Sequence, residues 1–397
     1  LKRCLDVHAS VLLLGMPAAK KTGTKAGAAK RAAAASEVPF VLERYSKVQE
    51  GEFDELDFTD VAVSDEHVKL LCDQICETAS KTSLRRLVLQ RCQIGVKGLQ
   101  ELGNLLGGGI SGETSPLVSL CLSGNDIGPE GVPKDFLDGL KGGKCLRSLD
   151  LSCCCLGDEG IASLLDVLAL RLPAVREAPE LEELRLGCNR ITPVGAKTLS
   201  RCLATNMKLR TLDLKANELG LDGAKELVEG LKANKGRLKK LDVSQNELKH
   251  QGAQALADFF LQREFRYTIS LERPRGKPTG FALSQEMVVT NISLKSVIDS
   301  WNQEHPCDAV LLGDKVLKVN EQDVREEMLE ELREKEEQHI TLLRTGGLVS
   351  LDMTHNMITL NGVKEMRKVL DVPAAGNLRG WQLSFDGGER EMWLSAH

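Results

Sequence analysis

The stretch Leu209 to Gly223, LRTLDLKANELGLDG, sets a spacing that returns along most of the chain. Leu209, Leu212 and Leu214 alternate as on a strand. Asn217 follows at a bend, and Leu219 and Gly223 open a helical run through Ala224, Leu227 and Leu231. The same six offsets recur from Leu84 to Gly98, Leu117 to Gly131, Leu146 to Gly160, Leu181 to Gly195, Leu238 to Gly252 and Leu348 to Gly362, with a weaker copy from Phe53. One strand-helix unit cannot bury its apolar face alone, so such units must stack and share a core. The spacing therefore predicts a solenoid rather than a set of independent globules.

The position that holds Asn217 is Asn125, Asn189, Asn246 and Asn356 in other copies, and Cys92 and Cys154 in two. An amide there can hydrogen-bond the backbone of the neighbouring turn, and a small thiol can fill the same buried corner. The glycine six residues later predicts close approach of helix and strand backbones. With this Asn/Cys alternation and a period near 29 residues, the chain resembles the ribonuclease-inhibitor class of leucine-rich repeat proteins over roughly 53 to 263 and from 348 onward. The resemblance implies an α/β horseshoe, with a parallel sheet on the concave face and helices outside.

Successive repeats begin 28 to 35 residues apart until Leu238, and the two longest intervals carry the Gly/Pro-rich loops GGGISGETSP and RLPAVREAPE. Leu348 then follows Leu238 by 110 residues, far more than one period. The excess holds a strand-like YTISLE, then PTGFAL, VVTNIS, a helical SVIDSWNQEH, LLGDKVLKVN, a helical REEMLEELREKEE and a last strand ITLLR. Pro278-Thr279-Gly280-Phe281 is similar to the Gly-Leu-Gly-Phe loop of PDZ domains. Gly313 to Asn320, GDKVLKVN, is similar to that family's Gly-Asp-x-Ile-Leu-x-Val-Asn run. A small PDZ-like β-barrel spliced between repeats is thus expected. The division is a basic Ala/Lys-rich tail at 1–50, repeats at 51–263, the PDZ-like segment at 264–346, and a resumed repeat with a C-terminal cap at 347–397. In the cap, Trp381 to Phe385 and Arg390 to Leu394 read as a hairpin over the open sheet edge.

Composition limits the function classes. A formal charge of −5 over 397 residues offers no global argument for nucleic acid, and no apolar run reaches the roughly 18 residues needed to span a bilayer. The tail, with Lys20, Lys21, Lys25, Lys30 and Arg31 among Ala and Gly, is expected to be disordered. The chain does not begin with Met, and Met16 is an alternative start. Twelve cysteines, several at repeat corners or in helices, read as reduced thiols of a cytoplasmic protein, and Cys153 to Cys155 lack the second pair that a zinc site needs. Neither the histidines nor any Gly-rich stretch forms a catalytic or phosphate-binding motif, so no enzyme activity, metal or cofactor is expected.

Binding surfaces remain. The strand residue between the second and third leucines faces outward and is Asp57, Val88, Cys121, Asp150, Arg185, Asp213, Asp242 and Asp352 in turn, with Lys215 and Lys240 nearby. This column is either polar strand surface or a site for a basic partner protein. In the other segment, the PDZ resemblance implies that the amides at Thr279, Gly280 and Phe281, beside Pro278, receive a peptide's terminal carboxylate. It also implies that Phe281 and Leu329 line the pocket for the last side chain, and that Arg325 takes the helix-start position often held by His, which favours an acidic peptide residue. The resulting expectation is a monomeric, non-enzymatic adaptor with a folded partner on the concave face and a C-terminal peptide on the PDZ-like groove. The rivals are a GTPase activator of the Ran-activating type and a structural subunit of a cytoskeletal or ciliary assembly.

Overall fold

The computed structural model describes residues 54–78, 84–108, 115–169, 179–206, 208–234, 237–261, 264–275, 277–305, 308–345, 348, 350–359, 382–386 and 391–395. The basic tail, Met16, most of the two Gly/Pro-rich loops, Gly362 and Trp381 lie outside these residues. Two compact units divide the chain: Leu1–Leu164, Pro179–Ile191 and Leu214–Asn217 form one, and the remainder forms the other.

In the first unit, strands and helices alternate: β1 (Glu55–Asp57), α1 (Asp65–Thr78), β2 (Arg86–Val88), α2 (Val96–Leu106), β3 (Ser119–Cys121), α3 (Lys134–Gly142), β4 (Ser148–Asp150), α4 (Gly157–Leu168, whose last four residues are assigned to the second unit) and β5 (Glu183–Arg185). The strands pair in parallel and in chain order, with Leu56, Leu87, Leu120, Leu149 and Leu184 side by side. Each strand is only three residues long because the chain must bend immediately after the third leucine. Its central leucine is buried while the flanking residues face out.

The bend has a cost and a remedy. The residue just before the corner takes φ near +55° without being glycine, as at Arg91, Cys153 and Cys188, and the residue just after it does the same at Gln93, Cys155 and Arg190. Corner amides hold this backbone. The Asn125 Oδ1 accepts from Cys92 N and Ile94 N, both at 3.1 Å, while its Nδ2 donates to Leu89 O and Leu122 O at 2.8 and 2.7 Å. Asn189 treats Cys154 N, Leu156 N and Leu151 O in the same way, and Asn217 serves Asn189 N, Ile191 N and Leu186 O. Each asparagine thus ties its own turn to the one before it. At cysteine corners the thiol substitutes weakly: Cys92 Sγ donates to Phe58 O at 3.1 Å and Cys154 Sγ to Leu122 O at 3.4 Å.

The glycine six residues after the corner is expected from the sequence to sit against a strand, but at Gly131 a Cβ would lie 2.4 Å from Gly160 O and at Gly252 3.1 Å from Ala224 Cβ, so these positions meet the neighbouring repeat's helix. Two glycines outside that pattern are closer still. A Cβ on Gly139 would lie 1.9 Å from Gly103 O, and one on Gly103 would lie 2.5 Å from Asp135 O. Helices α2 and α3 therefore touch backbone to backbone.

The second unit begins with α5 (Pro193–Thr205), β6 (Thr211–Asp213), α6 (Gly220–Asn234), β7 (Lys240–Asp242) and α7 (Lys249–Leu261). Here β6 pairs with β7 in parallel, and β7 pairs with β13 (Ser350–Met353), which aligns Leu351 with Leu241. Asn356 completes the corner by accepting from Asn246 N at 2.8 Å and donating to Val243 O at 2.9 Å. Strand β14 (Gln382–Asp386) adds in parallel to β13, and β15 (Glu391–Ser395) returns antiparallel to β14, one residue later in the chain than the expected hairpin strands.

Between α7 and β13 lie β8 (Glu264–Glu272), β9 (Phe281–Leu283), β10 (Val289–Ile292), α8 (Val297–Glu304), β11 (Lys315–Val319), α9 (Arg325–Glu334) and β12 (Glu337–Thr345). They form a three-stranded antiparallel sheet ordered β11, β12, β8 and a separate hairpin of β9 and β10. The alternation in β8 buries Tyr267, Ile269 and Leu271 in a cluster with Ile298, Val316, Met328, Ile340 and Leu342. Its first and last strands pair from Glu264↔Thr345 to Glu272↔Glu337.

Candidate functional site

The outward aspartates of the repeat strands already have local work. In the first unit Asp57 Oδ1 accepts from Thr59 N at 2.7 Å and Asp150 Oδ1 from Ser152 N at 2.9 Å. In the second, Asp242 Oδ1 accepts from Ser244 N at 2.8 Å, and Asp352 Oδ1 accepts from Thr354 N and Thr354 Oγ1 at 2.9 Å. A carboxylate two residues ahead of an amide caps the end of a strand before the bend, which explains the recurring Asp without any partner. The face is also internally paired: Arg185 lies 2.6 Å from Glu183 and 3.8 Å from Asp150, and Arg91 forks onto Asp60 at 2.6 and 2.7 Å. That guanidinium holds the Asp60 carboxyl below its ordinary range. In the second unit Asp213, Asp242 and Asp352 stand in register on adjacent strands, half-buried, and Lys240 is exposed beside them; Lys215, which belongs to the first unit, is exposed too.

Residues Pro278 to Phe281 come together in one loop, and the Thr279 side chain is tied inward. Thr279 is buried, and its Oγ1 donates to Gln338 Oε1 at 3.0 Å while its carbonyl accepts from Ile298 N at 3.1 Å. Gly280 has φ +104°, where a Cβ would lie 2.1 Å from Cβ of Ser296, so only glycine fits. Pro278 is exposed. Phe281 opens β9 and, with Leu329 of α9, packs half-buried on the segment's core. Among the described residues β9 pairs with β10 alone, so its other edge has no strand partner. Arg325 is the exposed first residue of α9, 3.5 Å from Glu326.

Sequence reading missed the polar centre of this segment. Asp314, read only as part of a motif, is buried, and its carboxylate takes Arg344 Nε and Nη2 at 2.8 Å, Leu311 N at 2.7 Å and Tyr267 OH at 2.6 Å. Arg344 Nη2 also donates to Ala309 O at 2.7 Å. Burial pushes the Tyr267 phenol up. Burial works against the Arg344 charge, but the bonds to Asp314 and Tyr267 outweigh it and raise its pKa. Three residues from 267 to 344 cannot be paired by any local spacing, and the Asp of GDKVLKVN was the only signal. Arg273 is a second such residue: buried, it donates to Lys277 O at 2.6 Å and to Arg333 O and Lys335 O, which ties the loop to the end of α9.

Burial raises the thiols of Cys92 and Cys202 to about 12 and that of Cys121 to about 11, and pushes Cys72 and Cys154 up as well. Such thiols are poor nucleophiles and ligands. Among the described residues no cluster of three His, Cys, Asp or Glu could hold a metal, and no helix is long and apolar enough to cross a membrane.

A sequence profile described as Leucine Rich repeat matches residues 80–103, 115–132, 144–165, 179–200, 205–228 and 238–257, the repeats whose strands and corners are described above. With that, these six segments are leucine-rich repeats. Within that class its repeats are similar to those of ribonuclease inhibitor and of the NACHT, LRR and PYD proteins. Ribonuclease inhibitor from Sus scrofa is 29% identical over 205 residues, covering 45% of this chain and 42% of that protein. NACHT, LRR and PYD domains-containing protein 5 from Bos taurus is 30% identical over 205 residues, covering 46% of this chain and 18% of that protein. Ribonuclease inhibitor from Mus musculus is 31% identical over 183 residues, 46% of this chain and 37% of that protein. The chain thus spans less than half the length of these relatives.

Proposed function

We propose that the protein is a non-enzymatic, cytoplasmic adaptor that binds other proteins. A folded partner sits on its repeat strands, and a C-terminal peptide binds in a PDZ-like segment at 264–346. The observation that carries the first part is the stack of repeats similar to those of a protein named for inhibiting a ribonuclease. Since the strand aspartates cap turns, recognition on the second unit's strands falls to residues with exposed side chains, above all Lys240. Affinity capture of partners from native cells tests it: Lys240→Glu should lose a protein that the unaltered chain retains, with its melting temperature unchanged. Identical capture by both would remove that surface from the reading.

The second part is supported by the open edge of β9, the loop Pro278 to Phe281 at its start and the half-buried Phe281 and Leu329 beside it. A labelled peptide with a free apolar C-terminus should bind the full chain, and amidating that terminus should abolish binding. An acidic residue two positions before the end should bind better than lysine by up to about fivefold through the exposed Arg325, and Arg325→Glu should reverse the order. Equal binding of the free and amidated peptides would sink the groove.

A further inference from the structure

Of the three consecutive cysteines in the first unit, one stands opposite a fourth. The ladder between β4 and β5 aligns Ser148 with Glu183 and Asp150 with Arg185, and it runs on past the strand ends: Leu151 N donates to Arg185 O at 2.9 Å and Cys153 N to Gly187 O at 2.8 Å. A parallel ladder with those bonds aligns Cys153 with Cys188. The same count sets Cys154 opposite Asn189, whose Oδ1 accepts from Cys154 N at 3.1 Å, and Cys155 opposite Arg190.

Cys153 and Cys188 hold the same place in two successive repeats, just before the corner, and share its backbone, with φ +56° and +55°. Their side chains therefore leave the chain side by side. Neighbouring strands hold aligned Cα atoms about 4.8 Å apart. That lies inside the window of roughly 4.4–6.8 Å over which two cysteines can be bridged, and the Cβ atoms need only draw together by a few tenths of an ångström. Both thiols are reduced in the structure and both residues are half-buried, within reach of a small molecule. The corner thiols Cys92 and Cys154, by contrast, are shut in and donate to carbonyls.

We infer that Cys153 and Cys188 form a reversible disulfide that staples the ends of β4 and β5, made by exchange with a low-molecular-weight disulfide such as oxidised glutathione. One protein thiol, as its thiolate, attacks a sulfur of the small disulfide. That S–S bond breaks, one glutathione leaves as a thiolate and takes up the proton, and a mixed disulfide remains on the protein. The other cysteine, deprotonated in turn, attacks the protein sulfur of the mixed disulfide and expels the second glutathione. Two protein thiols and one small disulfide thus become one protein disulfide and two glutathione thiols, with no further oxidant. Because the Cβ atoms must be drawn together, the bridge is of the kind that a reducing thiol pool reopens. It locks two turns whose connection carries the long loop RLPAVREAPE, three residues beyond the outward-facing Asp150 and Arg185.

The test uses the full, folded chain in glutathione buffers of rising oxidised fraction, quenched with iodoacetamide. The fraction that runs as a monomer without reductant is digested with trypsin and read by mass spectrometry. Trypsin cuts after Arg147, Arg171, Arg185 and Arg190, so the bridge joins Ser148–Arg171 to Leu186–Arg190 as a pair two hydrogens lighter than their sum, and dithiothreitol separates them. Cys153→Ser should abolish the linked pair and leave glutathione on Cys188. Cys188→Ser should do the reverse, and Cys155→Ser should leave the linked pair unchanged. No linked pair at any glutathione ratio, or one that forms only after unfolding in urea, overturns the proposal. So does a pair that survives Cys153→Ser and is lost in Cys155→Ser, because the register would then not be what brings the thiols together.

Discussion

Asn217 shows how much rests on one side chain. Its carbonyl oxygen takes the amides of Asn189 and Ile191 at 2.9 and 3.0 Å, and its amide nitrogen gives to Leu186 O and Leu214 O at 3.0 and 2.8 Å. Asn217→Leu would leave buried donors and acceptors unmatched and should cost roughly 1–3 kcal/mol in chemical denaturation, while Lys215→Leu, at an exposed position, should cost little. Equal midpoints would contradict the placement. The cysteine corners give the converse test. Burial raises the Cys92 thiol to about 12, so it stays neutral when folded. The unfolded chain ionises near 9, and the stability this thiol contributes is whole below that pH and fades as pH rises toward 12. Cys92→Asn should restore the amide pattern of Asn125. It should leave melting at pH 7.5 unchanged or higher, and make the alkaline decline above pH 9 shallower; a loss of several degrees at pH 7.5 would mean that the corner requires a thiol.

At the scale of elements, contact between backbones governs the helices. Gly139→Ala must push α3 off α2, because the new methyl would lie 1.9 Å from Gly103 O; a cost of about 1–3 kcal/mol in thermal unfolding is expected. Gly157→Ala, with nothing within 4 Å of the added carbon, should cost only the strain of its left-handed backbone. In the segment between repeats, Arg344→Met strands the Asp314 carboxylate and should destabilise by roughly 3–5 kcal/mol, whereas Asp314→Leu with Arg344→Met together should cost less than Arg344→Met alone. What the sequence told, and what it did not, divides along the same line. The leucine offsets and the corner Asn were legible because burial period is local. So were the strands and helices from Glu264 to Thr345, each with its own alternation. The strand-end role of Asp242, the left-handed backbone at Arg91 and Cys188, and the helix-facing glycines were not, because each depends on where the chain bends or on a neighbour about 30 residues away. Asp314, Tyr267 and Arg344 were still less accessible. Nothing local distinguishes a buried ion pair from a surface one.

For the second unit as a whole, the largest sequence separation spanned by a strand pair is that of β7 with β13: Leu241 and Leu351 are aligned, and Asn246 and Leu248 give their amides to Asn356 Oδ1 at 2.8 and 3.2 Å. That continuity depends on the two ends of the intervening segment meeting. They do meet, since Glu264 faces Thr345 across the β8–β12 pair, which sets their Cα atoms about 5 Å apart. A short link can therefore close the gap without moving β7 or β13. Replacing 265 to 344 by a short Gly-Ser linker should leave a chain that unfolds in one cooperative step and keeps its corner amides protected from exchange. Losing Phe265, whose ring lies 6.2 Å from that of Phe259, should lower stability by only about 1 kcal/mol. Hydrogen exchange at Asn246 and Leu248 is the sensitive readout, because those amides are held only if Asn356 returns to its place. Fast exchange there, or a melt in two steps, would mean that the segment holds the repeats together rather than riding on them.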